Sequence, residues 1–253
     1  MQTDALNAQI IQKHCFPLFS GKIHIKETTE STNNDAKQLA KQPDSLYSVI
    51  IVNTQTQGRG RGSQTVFYSP KDTGIYLSLI LPSEQKYPLT PALALAVCKT
   101  IDQYLPGKAA IKWVNDVLIE GKKVCGILCE SVPETGTVIA GIGINFTTAS
   151  FPQELAGTAD AIFKHPPVSR NEFIGNLLTE IATILTRTDS WMPEYRNRSC
   201  VLGNPVRYRE NNQWHNAIAC DIDESGGLVI EENGTKKTLV AGEISLRLPA
   251  TSQ

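Results

Sequence analysis

A stretch of alternating glycine and arginine constrains the fold of this chain more than any other part of its sequence. It occupies residues 55–63 (QTQGRGRGS) and follows the apolar run 47–52 (YSVIIV), which predicts a buried strand. Glycines let the backbone turn sharply and bring its N–H groups close to an anion, and arginines suit a carboxylate or a phosphate. The residues concerned are Gly58, Arg59, Gly60, Arg61 and Gly62. The stretch therefore predicts an anion-binding loop after a strand; the alternatives are a flexible surface loop or an RNA-binding tract.

The size and charge of the chain exclude several classes of protein. Its 253 residues suffice for one large domain, or for a medium domain and a small one. Hydrophobic residues make up 41% and charged residues 19%, which is typical of a globular protein with a sizeable core. The formal net charge of −1 gives no overall field that would attract nucleic acid or an anionic membrane. The positive charge of the loop is therefore a local feature of a site.

Further features predict a cytoplasmic protein with reduced thiols. No segment approaches 18 continuous apolar residues, and the N-terminus lacks the basic and apolar regions of a signal peptide. The six cysteines contain no CxxC pair, so neither a metal knuckle nor a disulfide framework is expected. Cys125 and Cys129 share one face of a predicted strand and are expected to pack rather than to react.

Apolar periodicity in the first 200 residues indicates strands with helices inserted between them. Strands are predicted at 22–28, 47–52, 74–81, 109–113, 117–119, 124–130 and 137–144. Helices are predicted at 4–15, from 31–33 to about 41, and at 90–105, 169–187 and 192–198. The helix at 169–187 has the strongest signal, because it opens with the capping box SRNE. This alternation predicts an α+β fold, with the segment 4–15 as a packing arm.

The pattern changes after residue 202. Five short strands are predicted at 205–209, 214–222, 228–231, 237–240 and 245–248, separated by tight turns rich in asparagine and glycine. Such spacing is typical of a small SH3-like β-barrel. We therefore expect a larger domain over residues 1–200 and a small C-terminal domain over residues 201–253.

A second cluster of charged and polar residues lies between two predicted strands. The run 112–116 (KWVND) joins a strand to a hairpin, and side chains on paired strands lie within reach of one another. The residues expected to converge are Lys112, Asn115, Asp116 and Lys123. A lysine there can neutralise a carboxylate or a departing phosphate oxygen, and an aspartate can hold a metal or orient an amine. The alternative is a surface ion pair beside a turn.

Two weaker motifs indicate a place for a polar, ring-shaped ligand. Isolated glycines interrupt the apolar strands at 126–130 (GILCE) and 141–145 (GIGIN), and such strands predict a flat slot for a ring. The run 31–33 (STN) begins a predicted helix. One interpretation of that run is helix capping alone; the other is that its hydroxyl and amide groups hydrogen-bond a ligand.

Taken in order, these motifs resemble those of the biotin protein ligases. The matching segments are 31–33 (STN), 58–61 (GRGR), 112–116 (KWVND), 123–128 (KVCGIL), 141–145 (GIGIN) and 242–247 (GEISLR). The arginine–glycine loop and the KWVND run are the motifs most specific to the family, whereas each glycine-bearing strand alone is weak evidence. Six motifs in the order of the family, from one end of the chain to the other, argue against a chance match.

The resemblance implies a catalytic domain with a mixed sheet and flanking helices, akin to the class II aminoacyl-tRNA synthetases, followed by an SH3-like domain. It implies a ligase that uses ATP with Mg²⁺: the carboxylate of biotin attacks the α-phosphate, giving biotinyl-5′-AMP and pyrophosphate. A lysine of a biotin carboxyl carrier protein then attacks the mixed anhydride and releases AMP. Strand-edge homodimers occur in the family, and the resemblance leaves the oligomeric state and the identity of the carrier open.

The resemblance also implies roles for individual residues. The catalytic residues would be Arg59, Arg61, Asp116 and Lys123. Contacts to biotin would come from Ser31, Thr32, Asn33, Gln55, Arg59, Gly60, Arg61, Lys123 and Gly126. Contacts to ATP or the adenylate would come from Gly58, Arg61, Lys112, Trp113, Asn115, Asp116, Asn145 and Arg247. Apart from the Mg²⁺ that accompanies ATP, the resemblance implies no metal.

This chain departs from the family pattern at three places. Val114 replaces the usual proline of a KWPND run, which loosens the turn without removing a polar group. After Arg61 the loop continues GSQTVFY rather than with a further RGR, so the sequence does not decide whether Val66 or Phe67 covers the adenine. No DNA-binding domain precedes the catalytic part, so the repressor role of the two-function members is not expected.

Three alternative functions are each disfavoured by a different feature of the sequence. A lipoate protein ligase shares the catalytic architecture, but the runs 112–116 and 242–247 favour the biotin enzymes. A nucleic-acid binder is disfavoured by the near-neutral charge and by the lack of clustered basic and aromatic residues. A biotin-binding regulator without turnover is disfavoured by the presence of Lys123, Asp116 and Arg59.

Overall fold

The central element of the molecule is a mixed seven-stranded sheet. The computed structural model describes residues 4–15, 17–19, 22–60, 66–85, 88–211, 213–240 and 244–246. The strands are β1 (Ile23–Thr29), β2 (Val49–Gln55), β3 (Gly74–Pro82), β4 (Ala109–Lys112), β5 (Asp116–Ile119), β6 (Lys122–Val132) and β7 (Thr137–Asn145). Their order is β1-β2-β3-β7-β6-β5-β4. Only the β1–β2 pair is parallel among these described strands, so the sheet is mixed, as the resemblance implies.

Helices pack on both faces of this sheet. They are α1 (Ala8–His14), α2 (Thr32–Leu39), α3 (Leu89–Asp102), α4 (Arg170–Thr186) and α5 (Met192–Arg198). The larger core lies between one face and the mostly apolar helices α3 and α4. A smaller core lies on the other face, where Ala36 of α2 meets Ile50 and Tyr76. The predicted α+β fold is confirmed, and within the described ranges none of the helices has the length and hydropathy that crossing a membrane requires.

A second, smaller sheet follows in the C-terminal part. Its strands are β8 (Pro205–Glu210), β9 (Gln213–Ile222), β10 (Leu228–Glu232), β11 (Thr235–Leu239) and β12 (Ile244–Leu246), in the order β11-β10-β9-β8-β12. Neighbouring strands are antiparallel, as short strands joined by tight turns require. The five predicted C-terminal strands are confirmed as a small antiparallel sheet, while the barrel closure and the boundary near residue 200 stay predictions.

Two predicted element boundaries are wrong for the same reason, a backbone in the left-handed region. Tyr47 has φ of 62°, which excludes it from a strand, so β2 begins at Val49. Glu120 and Gly121 have φ of 50° and 79° and form a two-residue hairpin turn by themselves. The predicted four-residue turn is therefore too long, and Lys123 lies within β6, where its side chain direction is set by the strand.

The two predicted helix caps behave differently. Oγ of Ser169 accepts a hydrogen bond from the backbone N–H of Glu172 (3.1 Å), which confirms the cap of α4. Ser31 stands at the N-cap position of α2 with an extended backbone, but its side chain makes no capping hydrogen bond. Capping alone therefore does not explain this serine.

The N-terminal arm is held by one buried arginine. Arg170 is 1% exposed, and its guanidinium donates to the carbonyl of Asp4 (2.6 Å), to Oδ1 of Asn53 (3.0 Å) and to the carbonyl of Gly74 (3.2 Å). Its Nε also contacts Oδ2 of Asp4 (3.3 Å). A buried charge is stable only with such partners, so this arginine joins the arm, helix α4 and two strands of the sheet. The predicted packing role of segment 4–15 is confirmed.

We expect Arg170→Met to lower the free energy of unfolding by about 2–4 kcal/mol, because two buried acceptors and the partly buried Asp4 carbonyl lose their donor. Urea unfolding followed by circular dichroism measures this change. Lys26→Met is the matched control, since it breaks an ion pair with Asp35 (2.8 Å) whose lysine is 52% exposed and should cost less than about 1 kcal/mol. Equal losses in the two variants would contradict the proposed linking role.

Candidate functional site

A cleft opens on the face of the central sheet that carries α2. One end is lined by uncharged polar side chains from the start of α2 and the end of β2. The other end is lined by the cationic side chain of Lys123 from β6, and Arg59 of the glycine–arginine loop lies at the rim. The residues of the two ends and of the floor between them are Ser31, Thr32, Asn33, Gln55, Arg59, Gly60, Lys123, Gly126, Gly141 and Gly143. This arrangement suits a small molecule with a polar uncharged group at one end and an anion at the other.

Paired glycines form the floor of the cleft. Gly126 of β6 lies directly opposite Gly143 of β7 in the sheet register, and Gly141 lies opposite Leu128. A Cβ at position 143 would lie 2.6 Å from the ring of Phe67, and one at position 141 would collide with Oδ1 of Asn33. The glycines are therefore required for the close approach of neighbouring side chains. The slot predicted from them is present among the described residues.

The polar end of the cleft is fixed by a chain of hydrogen bonds. Oε1 of Gln55 accepts from the backbone N–H of Thr32 (2.8 Å) and from its hydroxyl (3.1 Å). Oγ of Ser78 lies 2.7 Å from Oγ1 of Thr32 and 2.6 Å from Oδ1 of Asn33, and shares its hydrogen between them. Ser78 is fully buried. It joins these two residues of α2, both of which line the cleft.

The far side of Gln55 is anchored as well. Its Nε2 donates to Oγ of Ser69 (3.0 Å), and that hydroxyl donates to the carbonyl of Phe67 (2.9 Å). Because a carbonyl can only accept, the hydroxyl of Ser69 must donate to it, and the amide of Gln55 must donate to that hydroxyl. One N–H of the Gln55 amide remains for a ligand, since an amide nitrogen carries two hydrogens.

Asn33 is held by a charged pair beneath the cleft. Its Nδ2 donates to Oε2 of Glu130 (2.8 Å) and to the carbonyl of Leu128 (3.3 Å), and Glu130 also accepts from Nζ of Lys37 (2.6 Å). Burial alone would raise the pKa of Glu130. The hydrogen bonds from Lys37 and Asn33, with the charges of Lys37 and Arg59, outweigh burial and hold that pKa below its ordinary value. Glu130 is therefore an ionised group that only accepts hydrogen bonds.

The cationic end of the cleft contains an ion pair. Nζ of Lys123 lies 2.6 Å from Oδ1 of Asp116, and their side chains are 33% and 20% exposed. That oxygen is buried and makes no aligned hydrogen bond among the described residues, so the ion pair is its main polar contact. Of the predicted cluster, Lys123 and Asp116 meet. The alternative of an exposed surface pair does not describe this geometry, because Lys123 faces the cleft.

The backbone around Lys123 is fixed by the segment that follows β7. The Lys123 N–H donates to the carbonyl of Thr158 (2.8 Å), and its carbonyl accepts from the N–H of Asp160 (3.0 Å). The side-chain amide of Asn145 donates to both the Lys123 and Asp160 carbonyls (3.3 and 3.1 Å). Asn145 is 4% exposed. Its amide hydrogens are thus used within the protein, and its predicted nucleotide contact stays a prediction.

One residue of the KWVND run, Trp113, makes a structural contact that the sequence did not reveal. The indole N–H of Trp113 donates to the carbonyl of Gly226 (2.8 Å), so this buried ring joins the central sheet to the C-terminal sheet. Asn115 lines the cleft and donates to the carbonyl of Ile127 (3.1 Å). Lys112 lies opposite Asp116 in the β4–β5 register, outside the cleft lining. The Trp113–Val114 peptide is cis. The nucleotide roles of Lys112 and Trp113 stay predictions.

The glycine–arginine loop is described up to Gly60. Arg59 is exposed at the rim of the cleft and pairs through its backbone with Val66. Gly58 is buried, and a Cβ there would collide with the carbonyl of Phe67. The loop can therefore adopt this path only with glycine at position 58. The residues predicted at the site that lie outside the described ranges are Arg61 and Arg247.

The two aromatic alternatives are separated by their exposure. Val66 is 68% exposed, whereas the ring of Phe67 lines the cleft and packs edge-on against Tyr76 at 6.3 Å. Between these two residues, Phe67 is the one placed to contact a ligand.

Cys125 is fully buried and faces the larger core, and burial raises the pKa of its thiol. This agrees with the predicted packing role.

Four polar residues of the site were missed from the sequence. They are Lys37, Ser69, Ser78 and Glu130. A signal for two of them was present: Ser78 is a single hydroxyl inside the apolar run GIYLSLIL, and Glu130 follows Gly126 at the spacing of one strand face. A buried polar residue in such a position needs a partner, which is the usual mark of a structured site.

Comparison with known proteins agrees with this fold. Residues 24–146 match the Biotin/lipoate A/B protein ligase family, and residues 201–247 match the Biotin protein ligase C terminal domain. The chain is 32% identical to the bifunctional ligase/repressor BirA of Bacillus subtilis over 87% of its own length and 72% of that protein. It is 30% identical to the biotin–[acetyl-CoA-carboxylase] ligase of Paracoccus denitrificans over 85% of its length and 97% of that protein.

Solved structures show the same fold. The biotin protein ligase of Aquifex aeolicus, determined in complex with biotin and ATP, superposes with a TM-score of 0.78 at 24% identity. The match covers 90% of this chain and 99% of that protein. The class is thus that of ligases with a mixed catalytic sheet and a small C-terminal antiparallel sheet. Within that class, the chain belongs to the biotin protein ligase family.

We expect Gly143→Ala to lower the free energy of unfolding by about 1–3 kcal/mol, because the new Cβ meets the rigid ring of Phe67. Gly126→Ala is the control on the facing strand, since its Cβ would meet chiefly the flexible end of Lys123 at 3.0 Å. Urea unfolding of both variants measures the difference. A loss as large for Gly126→Ala as for Gly143→Ala would contradict the close packing of the Phe67 ring on Gly143.

Proposed function

We propose that this protein is a biotin protein ligase, which activates biotin with ATP and transfers it to a lysine of a biotin carboxyl carrier domain. The observation that carries the proposal is the polarity of the cleft, with neutral hydrogen-bonding groups at Asn33 and Gln55 and cations at Arg59 and Lys123. Biotin has a cyclic urea at one end and a carboxylate at the other, so it matches both ends. Membership of the biotin protein ligase family supports the same assignment.

The first step needs the two anionic reactants to be held together. The carboxylate oxygen of biotin attacks the α-phosphorus of ATP, the bond to the bridging oxygen breaks, and pyrophosphate leaves. Lys123 and Arg59 lower the repulsion between carboxylate and phosphate, because fixed cations in a partly closed site stabilise developing negative charge. We assign Arg61 the same role on the basis of the family resemblance.

The second step needs an acyl group and an amine in one place. The amine of the acceptor lysine attacks the carbonyl of biotinyl-5′-AMP, an amide forms, and AMP leaves with the bonding electrons. Asp116 is paired with Lys123 and orients its ammonium group. Once biotinyl-5′-AMP has formed, the same carboxylate is placed to accept a proton from the attacking amine. Roles toward the nucleotide are proposed for Gly58, Lys112, Trp113, Asn115, Asn145 and Arg247 as the family resemblance implies.

Magnesium enters this proposal with the nucleotide. Among the described residues, no group of three or more histidine, cysteine, aspartate or glutamate side chains is gathered as a metal site. Mg²⁺ is commonly bound by phosphates, waters and one or two carboxylates, and Asp116 is a carboxylate beside the proposed phosphate position. The residues present therefore fit an ion delivered as MgATP, which would neutralise phosphate charge.

The acceptor and the location of the reaction belong to the same proposal. A lysine of a biotin carboxyl carrier protein is the acceptor, the reaction takes place in the cytoplasm, and no nucleic acid or membrane takes part. Homodimers formed through a sheet edge occur in the family, and the resemblance leaves the oligomeric state of this chain open. Strands β1 and β4 form the two edges of the described central sheet.

Lipoate is the substrate that separates this proposal from its nearest alternative. Its dithiolane ring offers no N–H or carbonyl, so the polar groups at Asn33 and Gln55 would stay unpaired. We expect pyrophosphate release from MgATP with biotin, and with lipoate at least about 10³-fold less in kcat/KM. Release with lipoate only would identify the chain as a lipoate ligase. Biotin binding without release would identify a binding protein, and either result would overturn the proposed activity.

Lys123→Ala is expected to lower biotin-dependent pyrophosphate release about 10²-fold or more, because the cation at the reacting centre is lost. Lys122→Ala is the matched control, since the adjacent Lys122 is an exposed partner of Asp160 (3.1 Å) and does not line the cleft. Circular dichroism verifies that both variants are folded. Equal rates for the Lys123 variant and the wild-type chain would remove the role assigned to Lys123.

A further inference from the structure

Glu130 and Lys37 form an ion pair that has no role in the reaction described so far. The pair lies beside the cleft, with Nζ of Lys37 2.6 Å from Oε1 of Glu130 and side-chain exposures of 29% and 24%. The other carboxylate oxygen accepts from Nδ2 of Asn33 at 2.8 Å. The carboxylate thus stands between a charged donor and a residue at the polar end of the cleft.

The donor and acceptor chemistry of these groups fixes how the Asn33 amide is turned. Glu130 is ionised and, like the carbonyl of Leu128, can only accept hydrogen bonds. The part of the Asn33 amide that faces both must therefore be its NH₂ group. Both of its hydrogens are used there, and Oδ1 is left on the side of Ser78 and the cleft.

An amide turned in this way can offer a ligand only an acceptor. Oδ1 receives the Ser78 hydrogen bond with one lone pair, and its second lone pair is available. A ligand group at this position must carry a hydrogen, as a ring N–H does. If the amide were turned over, an NH₂ group would face that hydrogen, and two donors repel.

We propose that Glu130 and Lys37 are positioning residues that hold Asn33 with Oδ1 toward the cleft, so that the site accepts a ring N–H of its substrate. This inference rests on the proposed function, because it takes the ring to be the cyclic urea of biotin. Lys37 holds the carboxylate in place, and Glu130, with the carbonyl of Leu128, sets the orientation of the amide. Neither residue touches the reacting atoms.

Glu130→Gln tests the proposal because it keeps the shape of the side chain and changes its hydrogen bonding. Lys37 can only donate, so it takes the new amide oxygen, and the new NH₂ group then faces the NH₂ of Asn33. The Asn33 amide turns over to remove this conflict. We expect biotin binding, measured by isothermal titration calorimetry, to weaken about tenfold, which is the effect of one lost hydrogen bond.

The double variant Glu130→Gln with Lys37→Met provides the rescue. Without the lysine, the glutamine oxygen is free to accept from Nδ2 of Asn33, and the original orientation returns. We expect its affinity for biotin to lie within about threefold of the Lys37→Met variant, a difference of less than one ordinary hydrogen bond. A merely structural role of the ion pair predicts the opposite, because removal of both partners disturbs the fold at least as much as removal of one.

Three further measurements keep the outcomes distinct. The KM for biotin in pyrophosphate release should rise in Glu130→Gln, while the KM for ATP stays constant. Asp35→Asn is the matched control. Asp35 is on the same helix as Lys37, but it pairs with Lys26 of β1 and does not line the cleft, so this change should leave biotin affinity unchanged. Thermal unfolding of each variant verifies that it is folded.

Normal biotin affinity in Glu130→Gln, or a double variant as weak as the single one, would overturn the positioning role and leave the proposed function intact. A wild-type chain that binds no biotin would overturn both. Weakened binding in Glu130→Gln with recovery in the double variant supports the proposal, since this pattern requires the amide orientation to depend on the lysine.

Discussion

The polar end of the cleft depends on two groups that can only accept hydrogen bonds. One is the carbonyl of Phe67 and the other is the carboxylate of Glu130. Between them run the side chains of Ser69, Gln55, Thr32, Ser78 and Asn33. Because both ends are fixed, each amide and hydroxyl between them has a preferred direction. The site is therefore arranged for hydrogen bonding before a ligand arrives, which lowers the entropic cost of binding.

The sheet supplies the second half of the arrangement. The antiparallel register places Gly126 opposite Gly143 and so leaves a flat floor over which Phe67 and a ligand ring can lie. The same strand carries Lys123, whose ammonium group lies beside Gly126, and Glu130, which accepts a hydrogen bond from Asn33. One strand thus helps to position both the cation that meets the carboxylate and the amide that meets the ring.

Much of this arrangement could be predicted from local patterns. The glycines of β6 and β7 and the loop at Gly58 have a backbone reason that sequence reveals, because a side chain would collide there. The capping explanation of the STN run failed, since the hydroxyl of Ser31 makes no cap and lines the cleft. Trp113 and Asn145 show a different limit. Their polar hydrogens are used by Gly226, Lys123 and Asp160, which are partners that only the tertiary register brings near.

A crystal structure of the chain with biotin would show how the two ends of the cleft are used. We expect a ring nitrogen of biotin at about 2.7–3.2 Å from Oδ1 of Asn33, with the ring over the glycine floor and the carboxylate directed toward Lys123. The Asn33 amide should keep its NH₂ group on Glu130. A ring bound with the opposite polarity, or an Asn33 amide that turns its NH₂ group to the ligand, would show that the site is not arranged as proposed.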